Sequence, residues 1–548
     1  MQERRAHHER DSMTSIVENT SVQEILPDPS SEQAENKKES GNPRLARNVI
    51  FNWAGYFVFF ISGFILPRLI SEQVGQVSLG IWDFGWSMVA YCAFGTAGVR
   101  SAVSTYVARY SASDNWDSLN NIVNSCLAIF LTTMTIAFGA MLIVIKFLPN
   151  WFAGSFEGEM TIAQVTLSVL TFGALVEMPM GVFNGVLTGK QRYDLVNMIE
   201  GSTHIAHVLI SIVLLLLKLP IYWMAVTVVL GQLATAVLKY VFARREVPQL
   251  RISARHIHWS TVRFAFGFGM KDILEFSSRI FMHQTHNILI AYFFGAPMLA
   301  VFARPMALIQ SANRFIMRLA AVFEPASSEA YAHRDYDELR DLLVKGTRYS
   351  LFLTFPVVVL LTLFGGTLIE FWMGPEYRKA WLVAVLAIGN LGFLSQRATY
   401  HVLLGMAMHG RAAAAMLVGA GASVVLGIVA LTYFNANLIS FAVAIVVPFS
   451  IVNLVFLPIF GSRAVRIRYR DFIWRTLPVP ILAVVPFTII LVITAMIWGT
   501  MLNFTVFAGL AVSAVVLAVN YWIVAVPLPI KRRVAGIIRL THLDYLMK

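Results

Sequence analysis

Fourteen apolar runs of about 20 residues succeed one another along this 548-residue chain. Each is long enough to cross the roughly 30 Å hydrocarbon layer of a bilayer as a helix. In lipid every backbone N–H and C=O must find its partner within the protein, and runs of this length do so as helices. The runs lie near 48–70, 79–99, 121–146, 162–187, 195–217, 221–243, 270–293, 297–320, 350–370, 380–404, 412–433, 438–460, 477–498 and 503–526. The expected fold class is therefore an all-α polytopic membrane protein of about 14 transmembrane helices. A charged fraction of 14% agrees, because soluble domains carry roughly 25%.

The connecting loops test the count. Alternate loops, with the C-terminal tail, hold 25 Lys and Arg, among them Arg100, Arg109, Lys190, Arg192 and the run 463–475; the opposite set holds five, Arg68, Lys146, Lys218, Arg378 and Lys379. The positive-inside rule then places both termini in the cytoplasm, and one missed helix would scramble the alternation. The net charge of +12 follows from these dispersed loops, so no nucleic-acid partner is expected. Cys92 and Cys126 both sit in apolar runs, which implies neither a disulfide framework nor a zinc site. There is no GxxxxGK[ST] loop for ATP. The longest outer loop, about 148–161, leaves no room for an extracytoplasmic catalytic domain, and the expected answer is a protein that is not an enzyme and has no cofactor.

An internal repeat organises the helices. LISEQVGQVSLGIWDF (69–84) aligns without gaps on LIAYFFGAPMLAVFAR (289–304), pairing Leu69 with Leu289, Gly75 with Gly295 and Leu79 with Leu299. VLTGKQR (186–192) aligns on VLLGMAMHGR (402–411) at nearly the same offset, with Gly189 opposite Gly405. The offset spans six helices, an even number, so the repeats run parallel in the membrane. The expected domains are a cytoplasmic tail (1–43), a first six-helix lobe (44–245), a cytoplasmic linker (246–262), a second six-helix lobe (263–460), helices 13 and 14 with a basic loop (461–526), and a basic tail (527–548).

PRLISEQVGQVSLGIWDFGWSMVAYCAFGTAGVRSAVS (67–104) resembles the start of the Wzx-type polysaccharide flippases of the MOP superfamily, with Pro67 closing helix 1, Gly75 and Gly80 at the turn, and Gly95 and Gly98 leading to basic Arg100. The resemblance extends over about 44–460. Leu79 stands where that family often has Tyr, and helices 13 and 14 exceed its twelve-helix plan, as they also do in the related lipid II flippases. The resemblance implies two lobes around a central cavity, alternating access, and a lipid-linked oligosaccharide as cargo, with membrane lipids and a polysaccharide polymerase machinery as partners in the inner (cytoplasmic) membrane.

Charge within the apolar runs marks candidate sites, since a charge at the bilayer centre costs roughly 2.5–3.5 kcal/mol on insertion scales. Asp272, Glu275, Arg279, His283 and His286 succeed one another at spacings of 3, 4, 4 and 3, one stripe of a regular helix. Arg304, Ser311, Arg314 and Arg318 form a second stripe, and Arg397 enters from helix 10. An excess of guanidinium suits an anionic cargo such as a diphosphate, which Arg binds bidentately. The substrate-binding candidates are thus Arg279, Arg304, Arg314, Arg318, Arg397, His283 and His286. The alternatives are a snorkelling Arg318, an Arg279–Glu275 bridge one turn apart, and histidines that are only satisfied interior groups. Asp83, Glu177, Asp272 and Glu275 are candidates for coupling to H+ or Na+, with Pro179 beside Glu177 able to bend its helix. The expected function is a flippase carrying an undecaprenyl-diphosphate-linked oligosaccharide. The alternatives are a lipid II flippase, a multidrug exporter, or, from another class, a membrane polysaccharide polymerase or ligase.

Overall fold

The structure, a computed structural model, describes residues 43–96, 99–501 and 504–524. The expected tails fall almost wholly outside the described residues, as do the side chains of Asp272 and Glu275. The chain divides into a short unit, Met1–Ala54, whose described part is helical, and a large one, Gly55–Lys548. Apart from the first residues of the opening helix, both lobes and the last two helices belong to the large unit.

The first lobe is built of α1 (Pro43–Val74), α2 (Gln76–Ala90), α3 (Val99–Ala112), α4 (Trp116–Trp151), α5 (Met160–Gly189), α6 (Tyr193–Leu216) and α7 (Ile221–Glu246). The second holds α8 (Trp259–Ile280), α9 (His286–Ala320), α10 (Phe323–Ala332), α11 (Tyr336–Met373), α12 (Ala380–Gly389), α13 (Leu391–Ser395), α14 (Arg397–Gly405), α15 (His409–Tyr433), α16 (Leu438–Ile451) and α17 (Leu457–Ala464). Then come α18 (Tyr469–Thr476), α19 (Pro478–Trp498) and α20 (Phe504–Val524). No strand occurs among the described residues. Ten helical stretches among them are long and apolar enough to cross a membrane alone. The other expected spans are present in pieces or joined. The span near 79–99 is shared by α2, a 3-10 turn at Tyr91–Thr96 and α3, and that at 380–404 is broken into α12, α13 and α14. The 57-residue stretch Phe276–Ala332 bends at Gly295 and so contains two spans, while 48–70 lies within α1.

The repeat read from the sequence reappears in the backbone. Gly75 turns the chain between α1 and α2 at φ 95°, ψ 165°, and Gly295 bends α9 at φ 84°, ψ 171°. Only glycine occupies that region without strain, since any Cβ would collide with the local backbone. Left-handed residues recur in register: Asp114 with Arg334, Gln191 with Ala407, and Lys218 with Asn435. Asn115 caps α4 by accepting the Ser118 N–H, and Asp335 caps α11 by accepting those of Asp337 and Glu338. A Cβ on Gly189 would lie 2.7 Å from the Ser104 carbonyl oxygen, and one on Gly405 would lie 2.3 Å from that of Glu324. In each lobe a small residue thus lets two helices touch backbone to backbone.

Besides the packing of α8 on α3 and α4, the lobes meet at the end of the bundle away from the basic loops. There Arg304 of α9 pairs with Asp83 of α2, and Ser71 and Tyr377 share a hydrogen bond of 2.7 Å. Trp372 Nε1 donates to the Phe64 carbonyl at 2.8 Å, and the Ala296 N–H donates to the Ser155 carbonyl at 2.8 Å. The last two helices attach to the second lobe through α11, on which α19 packs.

Candidate functional site

A cavity of about 300 Å3 opens within the second lobe between the segment that joins α8 to α9, the second limb of α9, α12 and α16. Its polar wall consists of His283, Gln284, His286, Asn287, Gln310, Arg314 and Asn390. The local backbone explains how so many polar groups converge. Phe281–Thr285 forms one π turn between α8 and α9, which inserts an extra residue and rotates the helix C-terminal to it. The spacing expected of a regular helix therefore breaks here. His283 faces α9, with Gln310 Nε2 2.7 Å from its Nε2. His286 turns inward, buried, with its ring edge toward Phe441.

The hydrogen bonds assign the tautomer of His286. Its Nδ1 lies 2.6 Å from the Met282 carbonyl and must donate to it, so in the neutral ring Nε2 carries a lone pair, and that atom is buried without a partner. Asn390 stands at the break between α12 and α13, where its Nδ2 donates to the Leu386 carbonyl at 2.8 Å. Its Oδ1 is likewise buried without a partner. Two unmet acceptors packed behind one wall are costly, about 1–3 kcal/mol each.

Arg314 supplies the charge. It is exposed on the cavity side of α9, donates from Nη2 to Ser311 Oγ at 2.8 Å, and among the described residues has no carboxylate partner. The other arginines are placed differently. Arg304 is 3% exposed and ion-paired with Asp83. Arg397 is buried, donates from Nε to Asn313 Oδ1 at 2.7 Å, and stacks 3.5 Å from the centre of the Phe393 ring. Since His283 meets the same Phe393 edge-on, Arg397 backs the cavity through an aromatic spacer. Arg279 is exposed with its guanidinium 5.7 Å from the Phe276 ring centre, and Arg318 is half-buried. Among the sequence candidates the fold brings together His283, His286 and Arg314; Asp83 joins Arg304, and Glu177 stands apart in the first lobe, accepting from Gln232 Nε2 at 2.9 Å.

Residues 69–382, more than half of the chain, match the family described as polysaccharide biosynthesis protein. The chain belongs to that family. An uncharacterized membrane protein of Methanocaldococcus jannaschii is 19% identical over 412 residues, 72% of this chain and 79% of that protein. Among solved structures, the lipid II flippase MurJ in an inward closed conformation superposes with a TM-score of 0.65 at 13% identity, covering 87% of this chain and 98% of that one. An inward-facing multidrug resistance MATE family transporter of the MOP superfamily gives 0.60 at 16% identity, over 76% and 94% of the two chains. At such identities the likeness is one of fold. This polysaccharide biosynthesis family member therefore has the MOP transporter fold.

Sequence reasoning passed over four groups of this family member's site: Asn287, Gln310, Asn313 and Asn390. Their signal was present, since an amide in the middle of an apolar run is costly to leave unpaired, though less so than a charge. Asn287 bonds Ser87 across the lobes at 3.0 Å, a contact no local pattern announces.

Proposed function

We propose that this membrane transporter carries an undecaprenyl-diphosphate-linked oligosaccharide from the cytoplasmic to the outer leaflet of the inner membrane, by alternating access of its two lobes. The observation that carries this reading is Arg314, a guanidinium on a cavity wall within the membrane-spanning bundle that has no carboxylate partner among the described residues. Its exposure to the cavity leaves it open to an anion, and a diphosphate matches the planar fork of Arg. Both termini lie in the cytoplasm in this reading, so the end closed by Asp83 and Arg304 is the outer one. The lipid tail stays in the bilayer, and a polysaccharide polymerase takes the product on the outer side. Coupling to H+ or Na+ falls to Glu177 and Asp83, with Asp272 and Glu275 as further candidates.

A charge-assisted contact contributes roughly 1.5–3 kcal/mol, so Arg314→Ala is expected to weaken cargo binding by one to two orders of magnitude. The variant should reach the membrane yet fail to complement a flippase deletion, and Arg314→Lys should rescue in part because the bidentate fork is lost. Full complementation by the alanine variant overturns the reading.

The orientation has its own check. Reporter fusions after Asn150 and Asn437 are expected on the outer side, and fusions after Arg255 and Arg468 in the cytoplasm. A cytoplasmic signal at Asn437 contradicts the orientation and the helix count of the second lobe together.

A further inference from the structure

The first lobe contains a second cavity, of about 480 Å3, at the position related by the repeat to the Arg314 cavity. Adding the repeat offset of 220 to Leu66, Trp82 and Trp86 of its wall gives His286, Phe302 and Met306, all of which line the cavity in the second lobe. The two backbones agree while the chemistry has diverged. Packing alone does not demand a polar wall here, because where one lobe has His286 the other accommodates Leu66.

The wall of the first-lobe cavity has an aromatic side and a polar side. Trp86 is 38% exposed and Phe59 46%, and Trp82 holds Trp86 edge-on with ring centres 5.9 Å apart. Opposite them, each polar group is fixed by a neighbour. Glu177 accepts from Gln232, Glu200 pairs with Lys239 at 2.5 Å, and Thr203 bonds Thr235 at 2.7 Å. The histidines are ordered as well. Ser62 spends its hydroxyl proton on the Phe59 carbonyl at 3.0 Å, so its oxygen accepts from His204 Nε2 at 2.8 Å. His204 Nδ1 is then an acceptor, and His207 Nε2 donates to it at 2.9 Å. This chain of bonds makes the His204 ring neutral and fixes His207 as its donor.

We infer that this cavity is a sugar subsite, which takes a pyranose ring of the glycan while the diphosphate lies against Arg314 in the other lobe. The inference rests on the flippase reading above and deepens it. A pyranose presents an apolar C–H face, which suits an exposed indole, and a rim of hydroxyls, which suits carboxylate, amide and hydroxyl groups already held in place by their neighbours. Its volume fits the cavity. A diphosphate does not suit this wall, which carries two carboxylates against a single lysine already paired with one of them. The cargo is thereby oriented, with its anionic end toward the second lobe and its sugars toward the first.

The test uses the purified full chain in lipid nanodiscs and four probes: farnesyl diphosphate, and farnesyl diphosphate bearing glucose, galactose or N-acetylglucosamine. At least one sugar-bearing probe is expected to bind about tenfold more tightly than the bare diphosphate. Trp86→Ala should bring that ratio to about one while leaving the affinity for farnesyl diphosphate as it was; Thr235→Val provides a smaller change of the same kind should the tryptophan variant fail to fold. Arg314→Ala should weaken all four probes alike. Equal binding of all four probes by the unmodified protein overturns the subsite while leaving the flippase reading standing. Binding of none overturns both. Tight binding of tetraphenylphosphonium that is lost in Glu177→Gln overturns the subsite in favour of a site for organic cations.

Discussion

Arg304→Ala and Asp83→Ala are each expected to lower the melting temperature of the detergent-solubilised protein sharply and to abolish transport. The pair joins α2 to α9 across the two lobes, with side chains 4% and 16% exposed. Removing one partner leaves the other charge buried and uncompensated, which costs roughly 3–5 kcal/mol. That is a large part of a typical total stability of about 5–15 kcal/mol. Replacing the two together separates stability from mechanism. Asp83→Leu combined with Arg304→Met should restore much of the melting temperature, because a packed apolar pair of similar volume is often as stable as a buried ion pair. Transport should stay low in this double variant. When the lobes part, water can solvate a separated carboxylate and guanidinium, whereas two exposed apolar side chains gain nothing, so the closed end is favoured. Complementation assays together with thermal melts read both quantities. Unchanged melting in the single variants, or full transport by the apolar double variant, contradicts the role of the pair as the closing contact.

Gly295→Ala is expected to destabilise more than Gly75→Ala, although the two glycines have nearly the same conformation. A side chain at φ near +90° with ψ near 170° is strained by about 1–3 kcal/mol wherever it occurs, and both variants incur that cost. At Gly75 an added Cβ meets nothing within 4 Å, whereas at Gly295 it lies 3.2 Å from the Ser155 carbonyl oxygen. That carbonyl accepts the Ala296 N–H, so it cannot retreat without loosening a contact that joins the lobes. Unfolding of the two variants in the same detergent isolates the second effect. Equal losses would mean that the Ser155 contact carries no strain.

Much of the fold was legible because its determinants are local. The hydrocarbon thickness fixes the length of an apolar run, and the loop charges fix the alternation, so the fourteen segments could be placed from residue types alone. The repeat was legible for a related reason. Gly75 and Gly295 are needed by the backbone itself, and a backbone need leaves a trace at a fixed offset even when side chains drift. The candidate site was legible only in part. His283, His286 and Arg314 do share a cavity, but the uniform stripe expected of 271–290 assumed a constant helical pitch. The π turn at Phe281–Thr285 rotates His286 toward Phe441 and has no signature in the residue pattern.

The sequence by itself determined where the apolar segments lie, the pairing of the two halves, and which polar residues lie in apolar runs, since each depends on a residue and its near neighbours. Only the tertiary structure decided which of those polar groups satisfy one another. Arg304 and Arg314 lie on the same helix and are chemically identical, yet one is neutralised by a carboxylate 221 positions away in the chain and the other faces a cavity with no carboxylate partner among the described residues. Coulomb attraction depends on distance in space, and that distance is set by how α2 and α9 cross, which no local pattern encodes.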